Sequence, residues 1–395
     1  MTISTLTFQT NALAQMEALQ TALTQTQTEL SSGSKLPNAA ADPGAMAQVN
    51  QLNMQLAASQ QYVTNGNALT ANLQLEQSAL TNATNALQSA RDLAVQGNNS
   101  ALSLQDRQDI ATQLQQLEQT LLGSANSTDS KGNYLFGGTA SGTQPFVQSG
   151  ASVAYQGASQ VNQVQISADQ SVSAGDAGDS VFMSIPAGNG TFTTAAGAGN
   201  TGSGSIDTGS VVNPAAWVPG TYTISFTSPA AYQITDSAGA VVGSGNYTSG
   251  DAIDFNGVEV TISGAPAAGD SYTVAPAGQA SVFSTINNLI ATLNSSSLTS
   301  AQVTTQIGGA IAQIDNALGN FNGLQASVGG RLNAVSTVAT SSQTTQTQLQ
   351  GTISTLSSTD YAAATTQLST EELALQAAQE SYASIAKLSL FNYIS

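Results

Sequence analysis

The chain of 395 residues contains no cysteine and no histidine. The usual ligands of zinc and other transition metals are therefore missing. So are the Cys–His and Ser–His–Asp nucleophile systems and the side chain best suited to proton transfer near neutral pH. Positive charge is almost as scarce: Lys35, Arg91, Arg107, Lys131, Arg331 and Lys387 are the six basic residues, scattered among 23 acidic ones for a net charge of −17. Nucleic-acid binding needs clustered cations to displace phosphate counterions, and anionic membrane surfaces select for the same feature, so neither is expected as a partner. Long apolar runs are absent too, which leaves no segment for a membrane-spanning helix. The first residues lack a basic region followed by an apolar one, so no Sec-type leader is expected.

Charged residues make up only 7% of the chain, far below the usual quarter, so Gln, Asn, Ser and Thr must solvate the surface. The few carboxylates are too dispersed for a catalytic pair. Glu371 and Glu372 are helix neighbours pointing about 100° apart, and Asp176 and Asp179 fall in a Gly-rich loop. Both pairs read as solvated surface groups. The composition points to a protein that is not an enzyme and uses no cofactor or metal.

What is present is a seven-residue apolar repeat at both ends. Met16, Leu23 and Leu30 are seven apart with Leu19 between them, and Tyr361, Leu368, Leu375 and Tyr382 repeat the pattern near the finish. Such repeats mark helices that pair along a narrow seam. A lone helix of this kind is marginal in water, so each end needs a partner, and the other end is the nearest candidate.

Between the ends, a helix starts at Asp42-Pro43, with Asp as cap and Pro at the first helical position. Its stripe runs through Leu52, Leu56, Leu69, Leu73, Leu80 and Leu87 to a break at Gly97-Asn98-Asn99. Ser103 and Asp106 form a capping box before Ile110, Leu114, Leu117 and Leu121, and Gly123 is the expected stop. From about 145 to 280 the pattern switches to period two, in a region that holds more than half of the 36 glycines. Asn256-Gly257 between apolar alternations predicts a hairpin in a separate antiparallel β domain. Its aspartates lack calcium-loop spacing and read as solvated. Helix then resumes at Val282, and a stripe from Ile307 through Ile314, Phe321, Val328 and Val335 to Leu356 predicts one very long helix. A phase slip at Ser357–Asp360 predicts a joint before the last helix.

The predicted fold is multidomain and mainly α with a β insert: a long antiparallel helical rod built from both chain ends, with an antiparallel β domain at the bend. The expected division is 1–42 with 357–395 as a terminal coiled-coil domain, 43–148 with 280–356 as a helical rod domain with a short hairpin, and 149–279 as the Gly-rich acidic β domain.

Several motifs carry a resemblance. They are Leu30-Ser-Ser-Gly33 followed by Asp42-Pro43, Tyr134-Leu-Phe-Gly-Gly138 leading to Gln144-Pro-Phe146, Ser263-Gly-Ala-Pro-Ala-Ala-Gly-Asp270, and the closing Leu388-Ser-Leu-Phe391-Asn-Tyr393. Together they resemble the flagellin-like axial proteins of the bacterial flagellum, on the side of the hook-associated junction members. The resemblance implies a structural adaptor exported through the flagellum's own channel without a cleaved leader. Its implied partners are further copies of itself in a ring, the first hook-associated protein, flagellin, and an export chaperone at the C-terminal helix. A flagellin filament subunit is the nearest alternative, and an adhesin acting through the β domain a more distant one. The expected subunit-interface residues are Leu13, Met16, Leu19, Leu23, Leu30, Leu368, Leu375, Tyr382, Ile385, Leu388 and Phe391.

Overall fold

The computed structural model describes the backbone of residues 2–38, 40 and 42–394, and the side chains of 7–38, 40 and 42–384. Among the described residues there are six α-helices: α1 (Thr2–Ser32), α2 (Pro43–Gly97), α3 (Leu104–Ala125), α4 (Val282–Asn294), α5 (Ser300–Ser357) and α6 (Tyr361–Ile394). The sequence signals explain their starts. Asp42 Oδ1 accepts the Ala45 N–H at 2.9 Å at the head of α2, and the Ser103–Asp106 capping box forms at the head of α3. Helix α3 runs past the expected stop at Gly123 to Ala125. Gly123 keeps an ordinary helical backbone, and Asn126 closes the turn by donating its N–H to the Leu122 carbonyl at 3.0 Å.

The chain divides into two compact units, residues 1–64 with 338–395 and residues 65–337. In the larger unit the apolar stripes of α2 and α5 are buried: Leu69, Leu73, Leu80 and Leu87 on one, Ile307, Ile314, Phe321, Val328 and Val335 on the other. The two helices run antiparallel there, since Gly66 lies against Val335, Gln325 donates to the Thr84 hydroxyl at 3.3 Å, and Arg91 pairs with Asp315 at 2.6 Å.

Fifteen short strands fill the segment between α3 and α4. Two ribbons come first, β1 (Phe146–Ser149) with β2 (Ser152–Tyr155) and β3 (Gln163–Gln165) with β4 (Ser171–Ser173). After a π-helical turn at Asp179–Met183 come β5 (Ile185–Pro186), β6 (Phe192–Ala196), β7 (Ser205–Ile206), β8 (Ser210–Val211), β9 (Tyr222–Ser228), β10 (Ala231–Thr235), β11 (Val241–Asn246), β12 (Ala252–Phe255), β13 (Val258–Ser263), β14 (Ser271–Pro276) and β15 (Gln279–Ala280). The main sheet has the order β11-β10-β9-β14-β6, a second has β12-β13-β7 with β8 beside β13, and β15 pairs with β5. The expected hairpin is β12–β13, with Phe255 opposite Val258. Asn256 and Gly257 both take positive φ, 45° and 79°, the requirement of a tight primed turn.

Two aromatic groups anchor this region. Phe136, Phe146, Phe182, Phe283 and Phe321 meet ring to ring, joining the turn at 179–183 to α4 and α5. The β sheets enclose a separate core in which Tyr222 is buried and Trp217 packs against the edge. The exposed aromatic patch that an adhesin reading would require is therefore not formed by this pair.

Candidate assembly interface

In the smaller unit, α1 and α6 pair with each other, as the matching repeats require. A three-four spacing of enclosed positions runs through Gln9, Ala12, Met16, Leu19, Leu23, Thr26 and Leu30 on α1 and Ala364, Leu368, Glu371, Leu375, Ala378 and Tyr382 on α6, flanked by half-buried Ala22, Glu29 and Ala374, with Thr26 and Ala364 the most enclosed. That is a two-stranded coiled-coil seam. Met16, Leu19, Leu23, Leu30, Leu368, Leu375 and Tyr382 all lie on it, and all remain partly exposed. Leu13 falls off the seam and is 44% exposed, as is Leu373 at 68%. Ile385, Leu388 and Phe391 lie on α6, but their side chains are outside the described residues.

The Leu30-Ser-Ser-Gly33 motif has a local physical explanation. Gly33 takes φ 68° and donates to the Glu29 carbonyl at 2.9 Å, which stops α1 in a left-handed cap. The chain then meets the joint between α5 and α6. Lys35 N–H donates to Ser357 O at 2.7 Å, Thr359 N–H donates to Gly33 O at 3.1 Å, and Ser34 bridges Ser358. The phase slip at 357–360 and the motif at 30–33 are thus one joint, held mainly by backbone hydrogen bonds.

The other motifs also resolve into packing roles. Phe136 of Tyr134-Leu-Phe-Gly-Gly138 and Phe146 of Gln144-Pro-Phe146 are fully buried partners of Phe182. Gly138 takes φ 60°, and a Cβ there would strike the Ala158 carbonyl. Asp270, at the end of the 263–270 motif, departs from the expectation of solvated aspartates in the β domain. It is 1% exposed, and its carboxylate accepts the N–H groups of Thr201, Gly202 and Ala267 at 2.8, 3.0 and 2.9 Å. Three donors repay its desolvation by closing the loop at 200–202.

Two other carboxylates also differ from the surface reading. Glu371 occupies a seam position with Oε2 buried and unpartnered, while Oε1 accepts from Gln367 at 2.9 Å. Asp176 pairs with Arg331 at 2.5 Å, and its N–H donates to Glu76 Oε1 at 2.9 Å. A signal for these was legible. Glu76 falls between Leu73 and Leu80, Glu118 between Leu114 and Leu121, and Glu371 between Leu368 and Leu375, each at a spacing of three and four. A charge on an apolar stripe demands a partner or a proton. Burial raises the Glu118 carboxyl above its ordinary value, opposed by a hydrogen bond from Asn287.

A coil made from both chain ends, with a β insert carried between the helical segments, defines the flagellin-like class of axial proteins. Residues 3–141 match the family model of the bacterial flagellin N-terminal helical region, and residues 195–276 match that of the D2-like domain of flagellar hook-associated protein 1. FlgL of Xanthomonas campestris is 35% identical over an alignment covering 77% of this chain and 99% of that one, with a TM-score of 0.72. The flagellar junction protein FlgL of Legionella pneumophila is 34% identical, covering 79% and 100%, with a TM-score of 0.71. The chain belongs to the FlgL family. Flagellar hook-associated protein 3 of Escherichia coli (strain K12) is 34% identical over 157 residues, 40% of this chain and 49% of that protein. The chain thus spans about half the length of the curated relatives it matches.

Proposed function

We propose that this protein is a structural adaptor of the flagellum. It joins the hook, through the first hook-associated protein, to the flagellin filament, and it acts by helical packing rather than by chemistry. The observation that carries the reading is the half-buried seam. Even with α1 and α6 paired, seven large side chains on it stay partly open. Full burial of a Leu contributes about 1.5–3 kcal/mol, so further copies and axial neighbours would complete what one partner helix leaves unfinished. In this reading residues 1–42 with 357–395 are the assembling part, 43–148 with 280–356 the helical body, and 149–279 a domain turned away from the contacts. Ile385, Leu388 and Phe391 would extend the interface, and α6 would be the segment held by an export chaperone. Export through the flagellar channel suits a chain that needs no disulfide to fold. Membership of the FlgL family and the hook-associated match over the insert support the assignment.

Electron microscopy of cells lacking the gene tests it. Hooks without filaments, with flagellin released into the medium, are the expected outcome. Intact filaments would overturn the junction role, and loss of the filament protein itself would make the chain a flagellin.

A further inference from the structure

Three ionisable side chains meet inside the larger unit, away from the seam. Glu76 on α2 is 1% exposed. Its Oε1 accepts the Asp176 N–H at 2.9 Å, while Oε2 is buried with no protein partner. Arg331 on α5 donates from Nη1 to the Gly175 carbonyl at 3.0 Å and from Nη2 to Asp176 Oδ2 at 2.5 Å, with Nε buried and unpartnered. Gly175 lies alongside Glu76, since a Cβ on it would make ordinary van der Waals contact with Glu76 Oε2 at 3.4 Å and the Leu135 carbonyl at 3.5 Å. Two acids and one base therefore share a site in which Glu76 is closed off from water while Arg331 and Asp176 are half-buried. The guanidinium's charged hydrogen bond goes to Asp176, so Glu76 has no cation bonded to it. An ionised carboxylate buried in this way is costly, and the group keeps its proton instead.

The segment these contacts hold, residues 174–178, links strand β4 to the turn that carries Phe182. Gly178 N–H donates to the Phe136 carbonyl at 3.0 Å, so the same loop feeds directly into the aromatic cluster on α4 and α5. We propose that Glu76, Asp176 and Arg331 form a proton-gated clasp, in which protonated Glu76 fastens the 174–178 loop to α2 and α5 and its ionisation releases the base of the β insert. Asp176 on the loop and Arg331 on α5 are the ionisable groups acting on Glu76. Burial first, and the Asp176 charge second, push the Glu76 carboxyl up to about 8, with Arg331 opposing. The sign follows: the contribution of Glu76 to closure is full below its ordinary value of 4.5 and is lost as pH rises toward about 8. Opening grows about tenfold per pH unit across that window.

Hydrogen exchange of the loop amides in the full chain, corrected for intrinsic rates, reads this directly at pH 6 and pH 9. The wild-type loop should open about a hundredfold more at pH 9, while Glu76→Gln, which cannot ionise, should change less than about twofold. Equal protection at both pH values in the wild type, or a Glu76→Gln protein that keeps the wild-type dependence, would overturn the proposal. A second reading covers the case in which the variant does not fold. Carbon-13 carboxyl shifts of the wild-type glutamates should include one that titrates near 8. If every glutamate titrates in the ordinary carboxyl range, the clasp does not exist.

Discussion

The same seven-residue repeat runs through the middle and the ends of the helical segments, and it is buried to different depths. From Leu69 to Leu87 and from Ile307 to Val335 the stripe is closed off from water. From Met16 to Leu30 and from Leu368 to Tyr382 it is half open. The side chains are of the same kind, so hydrophobicity does not account for the contrast. The neighbours do: beside the middle stripes α4 hydrogen-bonds to α5 through Thr285–Gln313 and Thr292–Gln306 and Phe182 packs on Phe321, whereas α1 and α6 have chiefly each other. A repeat in the sequence says where a seam runs, and says little about how many elements close over it.

The largest effect that would sharpen this contrast is expected at Phe321, a fully buried member of the aromatic cluster. Phe321→Ala should cost about 3–5 kcal/mol in chemical denaturation of the larger unit. A cost near 1 kcal/mol would mean that the middle is as loosely closed as the ends.

A pH series comes next. Glu76 is raised from 4.5 to about 8, so the unfolded chain releases this proton first and the stability it confers is lost as pH climbs between those values. The larger unit should weaken by about 1.4 kcal/mol per pH unit across that range. Glu118, also raised by burial, acts in the same direction. Stability that rises with pH there would contradict both assignments.

Smaller effects belong to the ends. Glu371→Leu replaces a buried, unpartnered oxygen with an apolar seam residue and should stabilise the α1–α6 pair by about 1 kcal/mol. Helicity lost from that pair on heating would report it, and a destabilised pair would show that Glu371 has a partner role. Leu23→Ala, at a half-buried site, should cost the monomer about 1 kcal/mol or less, and a loss comparable to that of Phe321→Ala would end the distinction between middle and ends.

Most elements were legible because their signals are local. The Asp42-Pro43 start, the Ser103 capping box, the Asn256-Gly257 hairpin and the joint at 357–360 each depend on a few adjacent residues, and each forms where expected. The pairing of α1 with α6 was legible because two repeats at opposite ends needed each other. What escaped depends on distant partners. Asp270 reads as a loop aspartate until Thr201 and Gly202 are brought to it. Asp176 reads as a solvated acid until Glu76 and Arg331 arrive from sites 100 and 155 residues away. The seam glutamates were visible as charges on apolar stripes, but the stripe alone does not say which groups face them. In the same way, the interface residues can be placed on a helix face by periodicity, whereas how far they are covered depends on what surrounds the chain.

If other subunits finish the open side of the terminal seam, Leu375→Asp should separate that contact from the packing of the monomer. Leu375 is half-buried on α6, and an aspartate there would place a carboxylate in the assembled contact at a penalty of several kcal/mol unless it stays solvated, on the order of 2–7 kcal/mol for an uncompensated polar group. The measurement pairs the main melting transition of the purified protein with counts of filament-bearing hooks in cells that carry the variant. An unchanged main transition together with loss of filaments is expected. A protein that unfolds as a whole, or one that builds filaments normally, would show that the seam belongs to the monomer's own core and that the assembly reading is wrong.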